Sequence, residues 1–571
     1  MKLVFVIWCL VTFNNLNVGA VLTPIVKTTT GLVRGKLNYY NGFKYFSFHG
    51  IPYAESPTGL LRFQPPVPKK PWTHVLDASE EGVVCPQWDL RYKFEQMSED
   101  CLRVNVYVPE GGRELPVLVF VHGGGFSVLS GSSDYLYGPQ FFLQRGIIVV
   151  TLNYRLGPLG FLSLGINEAS GNAGIKDVIL ALKWINQNIQ RFGGNNNKIT
   201  IGGHSSGAAL ANFLLLTKKA DKLFHQVILI SGSALHYRFL SRHPRDEALA
   251  LAEKLGIKSN DSHIILKKLQ QTDVFEIVQA SRILDRMTNK HVLKPCNYFR
   301  ACVEQNYSHA VITENPTHIM KTIGLIQNVP ILTGINAREG LYMLPRILNW
   351  PEATNKLHDN VELCIPPDIE YPEGSPQSRK LGNSINEMYF RSDNSDNFCL
   401  DRLLDLASDC RYIYSSYAWI KLHKSNLNSS KLFFYNFNFD GDLNWSKLNY
   451  DIEYPGTAHA DELGYIFVTN RTVNRIENAN NESKHMIYIT VNIFSNFIKF
   501  GTPQPNSGTK WPEFNMKDQQ YMEICPNLAV KSLLNSDMFK RLHFWENVYH
   551  QYQKYVQYGG KLENKCRIHF N

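Results

Sequence analysis

No segment of this 571-residue chain is more constrained than Ile199-Thr-Ile-Gly-Gly-His-Ser-Ser-Gly-Ala-Ala-Leu210. A β-branched run leads into Gly203-His204-Ser205-Ser206-Gly207, and a small, helix-compatible run over residues 208–216 follows. Passing from strand to helix within five residues forces a sharp bend, and the flanking glycines remove side chains that would crowd it. The bend presents the hydroxyl of Ser205, and the amides opening the next helix favour negative charge beside it. The pentapeptide alone decides little, because average Gly and Ser usage yields about 0.2 chance matches in a chain this long. Its place between a strand and a helix is what makes it read as a nucleophile elbow.

The surrounding pattern supplies a fold for that elbow. Apolar, β-branched runs at residues 115–121, 147–152, 199–201, 227–230, 329–332 and 432–435 read as strands. Residues 175–192 read as a helix, with Ile179, Leu182, Trp184, Ile185 and Ile189 mostly at helical spacing and Gly193-Gly194 closing it. Near-continuous apolar strands alternating with helices predict an α/β fold whose central sheet is mostly parallel and covered on both faces. Residues 244–328 and 351–408 are richer in helical and irregular pattern. They read as insertions capping one end of the sheet, so residues 21–571 are expected to form a single domain.

Three further features bear on chemistry. His122-Gly123-Gly124-Gly125-Phe126 follows the 115–121 strand directly, and its glycines let backbone amides approach a substrate oxygen. It is either an oxyanion loop, a plain Gly-rich turn or a phosphate loop. No Gly-Lys-Ser/Thr follows, which tells against a nucleotide. Paired with a downstream elbow, it points to Gly124 and Gly125 donating beside the amide of Ser206, each donor typically worth about 3 kcal/mol in the transition state. A serine nucleophile also needs a base and an orienting acid, in the chain order Ser, Asp or Glu, His. Glu339, in the loop after the 329–332 strand, and His459 satisfy that order. A lone Glu is more often a surface charge, and His225, His236 and His543 among the 18 histidines read as structural.

Nine blocks in order then resemble the animal type-B carboxylesterase/cholinesterase family, secreted insect carboxylesterases in particular. They are Gly50-Ile-Pro-Tyr-Ala54, Arg62-Phe63, Ser98-Glu-Asp-Cys-Leu102, His122 to Phe126, Asn153-Tyr-Arg-Leu-Gly157, Gly203 to Gly207, Ser231-Gly-Ser233, Arg338-Glu-Gly340 and His459-Ala-Asp-Glu-Leu463. The resemblance implies an α/β-hydrolase fold. It implies Ser205, Glu339 and His459 as the triad, Gly124, Gly125 and Ser206 as the oxyanion hole, and Ser231 as a serine near the triad histidine. It further implies a Cys85–Cys101 disulfide, which the short loop between them also favours, and a buried Arg62–Glu99 ion pair. The expected reaction is hydrolysis of an uncharged small-molecule carboxylic ester through an acyl-enzyme on Ser205, with no cofactor. A non-catalytic adhesion or binding protein on the same fold is the alternative, which a replaced serine or histidine would mark.

The chain departs from the family at several places. His204 stands where relatives commonly carry Glu and insect juvenile-hormone esterases typically carry Gln, which removes a negative charge attractive to cationic alcohols. The Cys85–Cys101 loop is shorter than the cholinesterase loop that carries the choline-binding Trp, although Trp88 lies in it. Where many relatives place a Trp narrowing the acyl pocket, this chain reads Ala234-Leu-His-Tyr-Arg-Phe239. The family's next cysteine pair is missing around residues 258–266, leaving Cys296 and Cys302 as candidates to pair instead.

The N-terminus predicts export. Lys2, the apolar run 3–13 and Val18-Gly19-Ala20 form a signal-peptide layout over residues 1–20, too short to span a bilayer. Six acceptor sequons, at Asn260, Asn306, Asn428, Asn444, Asn470 and Asn481, agree with a secreted, glycosylated chain. No later stretch predicts a stable membrane anchor. With Cys9 removed, nine cysteines remain, so at least one is free or pairs with another chain. No His/Cys cluster has metal-ligand spacing, and no metal is expected. The net charge of +9 comes from scattered residues, with only Lys69-Lys70 and Lys267-Lys268 as adjacent pairs, and predicts no nucleic-acid partner.

Overall fold

The computed structural model describes residues 21–563 apart from 90, 289–297, 353–355, 358–359, 391–399, 427–428 and 535. Its largest sheet has eleven strands. They are Lys36–Tyr40 (β1), Phe43–Pro52 (β2), Arg103–Pro109 (β3), Leu115–Val121 (β4), Ile148–Leu152 (β5), Gly194–His204 (β6), Gln226–Ile230 (β7), Ile331–Asn336 (β8), Leu432–Phe437 (β9), Gln520–Ile524 (β10) and Ala529–Ser532 (β11). In space they run β11-β10-β9-β8-β7-β6-β4-β5-β3-β2-β1. From β10 through β5 every neighbouring pair is parallel. The two edges are antiparallel. The predicted mostly parallel sheet of an α/β-hydrolase fold is therefore present, with antiparallel edges that the apolar runs did not reveal.

The strands read as unbroken apolar runs because both faces are buried. In β4, Val117, Val119 and Val121 enter one core cluster while Leu118 and Phe120 enter another. The same alternation recurs in β7, with Val227 and Leu229 on one side and Ile228 and Ile230 on the other. The longer helices are Ala173–Asn188 (α1), Ser206–Leu214 (α2), Pro244–Lys254 (α3), Ser262–Gln271 (α4), Val274–Thr288 (α5), Pro376–Tyr389 (α6), Leu400–Ser408 (α7), Tyr414–Lys424 (α8), Asn481–Phe500 (α9) and Asp537–Gln557 (α10). Helices α1 and α2 pack into the first cluster and α9 into the second. The predicted 175–192 helix ends earlier, because Ile189–Phe192 tightens into a 3-10 turn.

A third cluster unites α6, α7 and α10 with Leu341 and Met343, which follow β8. The later insertion thus covers the chain just beyond a parallel strand's C-terminal end. Two buried arginine–carboxylate pairs tie loops to this frame. Arg62 grips Glu99 through Nε and Nη2, each at 2.7 Å. Arg155 grips Asp177 through the same edge at 2.8 and 2.6 Å. Cys85 and Cys101 form the expected disulfide.

Two expectations need correction. Cys302 carries a buried free thiol, so it does not take the expected bond with Cys296, a residue outside the described ones. Asn444 is 1% exposed, and its amide is spent on Phe439, Asp461, Gly441 and Tyr465, so the folded chain offers no glycan attachment there. Asn260, Asn306, Asn470 and Asn481 are exposed, and Asn428 lies outside the described residues. Residues 1–20, the expected signal peptide, also lie outside them.

Breaking the Arg155–Asp177 pair strands a buried guanidinium, which costs more than the intact pair contributes. Asp177→Ala is expected to lose about 3–5 kcal/mol of stability, read as a lowered denaturation midpoint.

Candidate active site

Parallel strands align their C-terminal ends, and the candidate residues sit there because β4, β6, β7, β8 and β9 are consecutive in the sheet. The bend after β6 places Ser205 at φ 57° and ψ −122°, with its amide donating to Ile230 O at 2.8 Å. Its glycines are required by contact. A Cβ on Gly203 would lie 2.4 Å from the Gly207 carbonyl, and one on Gly207 would lie 2.2 Å from Val121 O. The turn is therefore pressed against the end of β4.

That contact also sets the neighbouring loop. Phe126 N donates to Ser206 Oγ at 3.2 Å, and Tyr154 donates to His122 O at 3.1 Å. Gly123 N donates to Tyr137 Oη at 3.2 Å. Gly124 has φ +96°, and a Cβ there would meet Val128 O at 2.1 Å. Among the described residues the amides of Gly124, Gly125 and Ser206 find no acceptor, the last because it opens α2. Three unsatisfied donors thus border Ser205.

Glu339 follows β8 and is fully buried. Its Oε1 accepts from Ser231 Oγ at 2.6 Å and Asn336 N at 2.7 Å, and its Oε2 accepts from His459 Nδ1 at 2.6 Å. An ionised carboxylate only accepts, so Nδ1 of His459 carries the proton and Nε2 keeps its lone pair. Glu462 lies on the other side of Ser231, 3.4 Å from its Oγ, and also accepts from Asn336 Nδ2. Burial pushes Glu339 up to about 7, while the Ser231 and Asn336 donors pull it down. Burial and the facing Glu339 raise Glu462 well above the carboxylate range. The shorter donor contacts fall on Glu339, which favours the ionised form there over Glu462. Neither Ser205 Oγ nor His459 Nε2 has a hydrogen-bond partner among the described residues. The ring of His204, adjoining Ser205, lies 4.5 Å from that of His459.

Residues 22–545 match the carboxylesterase family. The chain belongs to that family. It is 31% identical to a juvenile hormone esterase of Heliothis virescens over 525 residues, covering 88% of this chain and 90% of the relative. It is 30% identical to venom carboxylesterase-6 of Apis mellifera over 544 residues, covering 92% and 94%. It also resembles the crystal structure of juvenile hormone esterase from Manduca sexta with OTFP covalently attached. There the TM-score is 0.82 at 29% identity, covering 93% of this chain and all of that one. The chain is accordingly a carboxylic ester hydrolase.

Other groups of this carboxylesterase site were not legible in its sequence. Tyr412 stacks on His459 at 4.1 Å, and Tyr342 tilts against it at 5.5 Å. Arg411 and Tyr412 share a wide π-helical turn, Asp409–Ile413, between α7 and α8. Such turns cluster at functional sites, but no apolar period announces them. Arg238, in the segment after Ser231-Gly-Ser233, donates to Tyr342 Oη at 3.3 Å. Burial lowers the His459 pKa well below its usual value, and Arg238 and Arg411 lower it further. His204 is buried with both ring nitrogens unpartnered, and burial and then His459 keep it neutral. Trp88 lies under the guanidinium of Arg282 at 5.4 Å, so a cation already occupies its face.

Gly207→Ala would drive its Cβ into Val121 O. The expected outcome is a loss of about 3 kcal/mol or failure to accumulate folded protein, read by thermal unfolding against the native chain.

Proposed function

We propose that this carboxylesterase works through an acyl-enzyme on Ser205, with His459 as base and Glu339 as its orienting acid. The observation carrying this reading is the buried Glu339–His459 hydrogen bond, whose imidazole stands over the residue next to Ser205. His459 Nε2 takes the hydroxyl proton as Oγ attacks the ester carbonyl. The oxyanion then collects the unsatisfied amides of Gly124, Gly125 and Ser206. Collapse expels the alcohol, which receives the proton from His459, and water repeats the sequence to release the acid. Glu339 keeps the proton on Nδ1 and offsets the imidazolium charge. Ser231 supports Glu339 rather than touching the ester.

The electrostatics disfavour cationic esters, since His204 is neutral and Arg238 and Arg411 lie nearby. Export after removal of residues 1–20, a single α/β domain over 21–571, and glycans at the exposed Asn260, Asn306, Asn470 and Asn481 complete the reading. Among the described residues no helix is long and apolar enough to cross a membrane.

Intact-mass analysis after organophosphate treatment tests the nucleophile. One adduct is expected on the native protein and none on Ser205→Ala, whose turnover of para-nitrophenyl acetate should fall about 10⁵–10⁶-fold. Undiminished turnover in that variant would overturn the assignment.

The pH profile tests the base. Protonated His459 is inactive, and nearby cations disfavour that form, so deleting a cation raises its proton affinity. Arg238→Gln is therefore expected to move the acid limb of kcat/KM to higher pH. A limb that stays put or moves down would remove His459 as the titrating base.

A further inference from the structure

On the side of His459 away from Glu339, several polar groups gather around one phenol. Tyr342 Oη accepts from Nη1 of Arg411 and from Nη1 of Arg238, and lies 3.4 Å from Tyr412 Oη. Arg411 is 1% exposed. Its Nε and Nη2 have no acceptor among the described residues, and no carboxylate there pairs with it. Two further buried atoms nearby are unpartnered, His236 Nε2 and Tyr237 Oη. Both residues interact electrostatically with Arg411. The cluster reaches solvent through Tyr342 and Arg238, which are half-buried.

The vacant edge of Arg411 has a known complement. Nε and Nη2 form the side of the guanidinium whose two parallel N–H groups match a carboxylate. In this molecule Arg62 uses that edge on Glu99 and Arg155 uses it on Asp177. Arg411 presents the same edge, equally buried, to no carboxylate among the described residues. Burying a guanidinium without an anion is costly, and a phenol shared between two cations does not neutralise it. The π-helical turn that carries Arg411 also carries Tyr412, which stacks on His459. Arg411 is thus linked to the reacting imidazole through Tyr342, which accepts from it and lies against His459.

We propose that Arg411, assisted by Arg238, binds a carboxylate borne by the ester substrate. The preferred substrate is then an ester with a second, free acid group, on its acyl or its alcohol half. This rests on the acyl-enzyme reading above and extends it past the uncharged esters that the sequence led one to expect. Reaction chemistry is unchanged, because the second carboxylate is held and not transformed. Tyr342 bridges the two cations: burial raises its pKa, but Arg411 and Arg238 draw it below the ordinary phenol value.

The test compares kcat/KM on two matched pairs with the full chain. Para-nitrophenyl hemiglutarate against para-nitrophenyl pentanoate places the charge on the acyl half. Para-acetoxybenzoate against para-tolyl acetate places it on the alcohol half. One anionic member is expected to exceed its neutral partner at least about tenfold, equivalent to about 1.4 kcal/mol, and added salt should erode that ratio. Arg411→Gln should bring the ratio to about one, and Arg411→Lys should restore part of it. Should Arg411→Gln not fold, Arg238→Gln serves in its place and should lower the ratio. Ratios at or below one in both pairs, with neutral esters still hydrolysed, would overturn the proposal alone. So would a preference that survives the loss of the arginine. Absence of any turnover together with absence of a Ser205 adduct would instead sink the acyl-enzyme reading.

Discussion

A carboxyl group held out of water must find its stabilisation among its neighbours, and Glu339 does so by organising most of what surrounds it. Its oxygens draw the Ser231 hydroxyl from the end of β7, the Asn336 amide from the end of β8, and the imidazole of His459 from the long segment after β9. Each donor belongs to a different crossover of the parallel sheet. The carboxylate therefore fastens three strand ends together at the edge where the elbow emerges. Glu462 sharpens the arrangement, because burial and the facing Glu339 raise its proton affinity. A proton held there favours a charged Glu339, which the tautomer of His459 requires.

The elbow depends on backbone crowding instead of charge. Gly203, Gly207 and the end of β4 are in mutual contact, so the oxyanion loop and the nucleophile cannot shift independently. This explains why the motifs at Gly203 to Gly207 and His122 to Phe126 could be read from sequence. Sterics that forbid a Cβ leave a residue-type signature, and strands buried on both faces leave an apolar run. Glu339 and His459 carried no such signature of their own. They were singled out by chain order and family resemblance, since burial of one glutamate among many leaves no local trace.

Arg411, Tyr412, Tyr342 and Glu462 were illegible for a related reason. Arg411 and Tyr412 lie on a π-helical turn whose widened spacing breaks the period by which helical faces are recognised. Tyr342 follows Glu339 by three residues within a 3-10 segment and reads as an ordinary aromatic. Asn444 was misread in the opposite direction. A three-residue acceptor pattern cannot report that Tyr465, Asp461 and two backbone groups already use the amide. Antiparallel strands β1–β3 escaped because polar residues interrupt their apolar runs: Lys36 and Asn38 in β1, Lys44, Ser47 and His49 in β2, Arg103 and Asn105 in β3.

The cations and the triad are in tension. His459 must become positive as Ser205 is deprotonated, and Arg238 and Arg411 oppose that charge while Glu339 supports it. An isolated active site would gain by discarding the arginines. A carboxylate seated on the open edge of Arg411 reverses the balance, since its charge offsets the guanidinium and restores proton affinity at His459 when substrate is bound. The opposing field then acts as discrimination: a neutral ester meets a weakened base, whereas an acidic one supplies the missing counter-charge. On that view Arg238 and Arg411 change what completes the site, with part of its electrostatics carried in by the substrate.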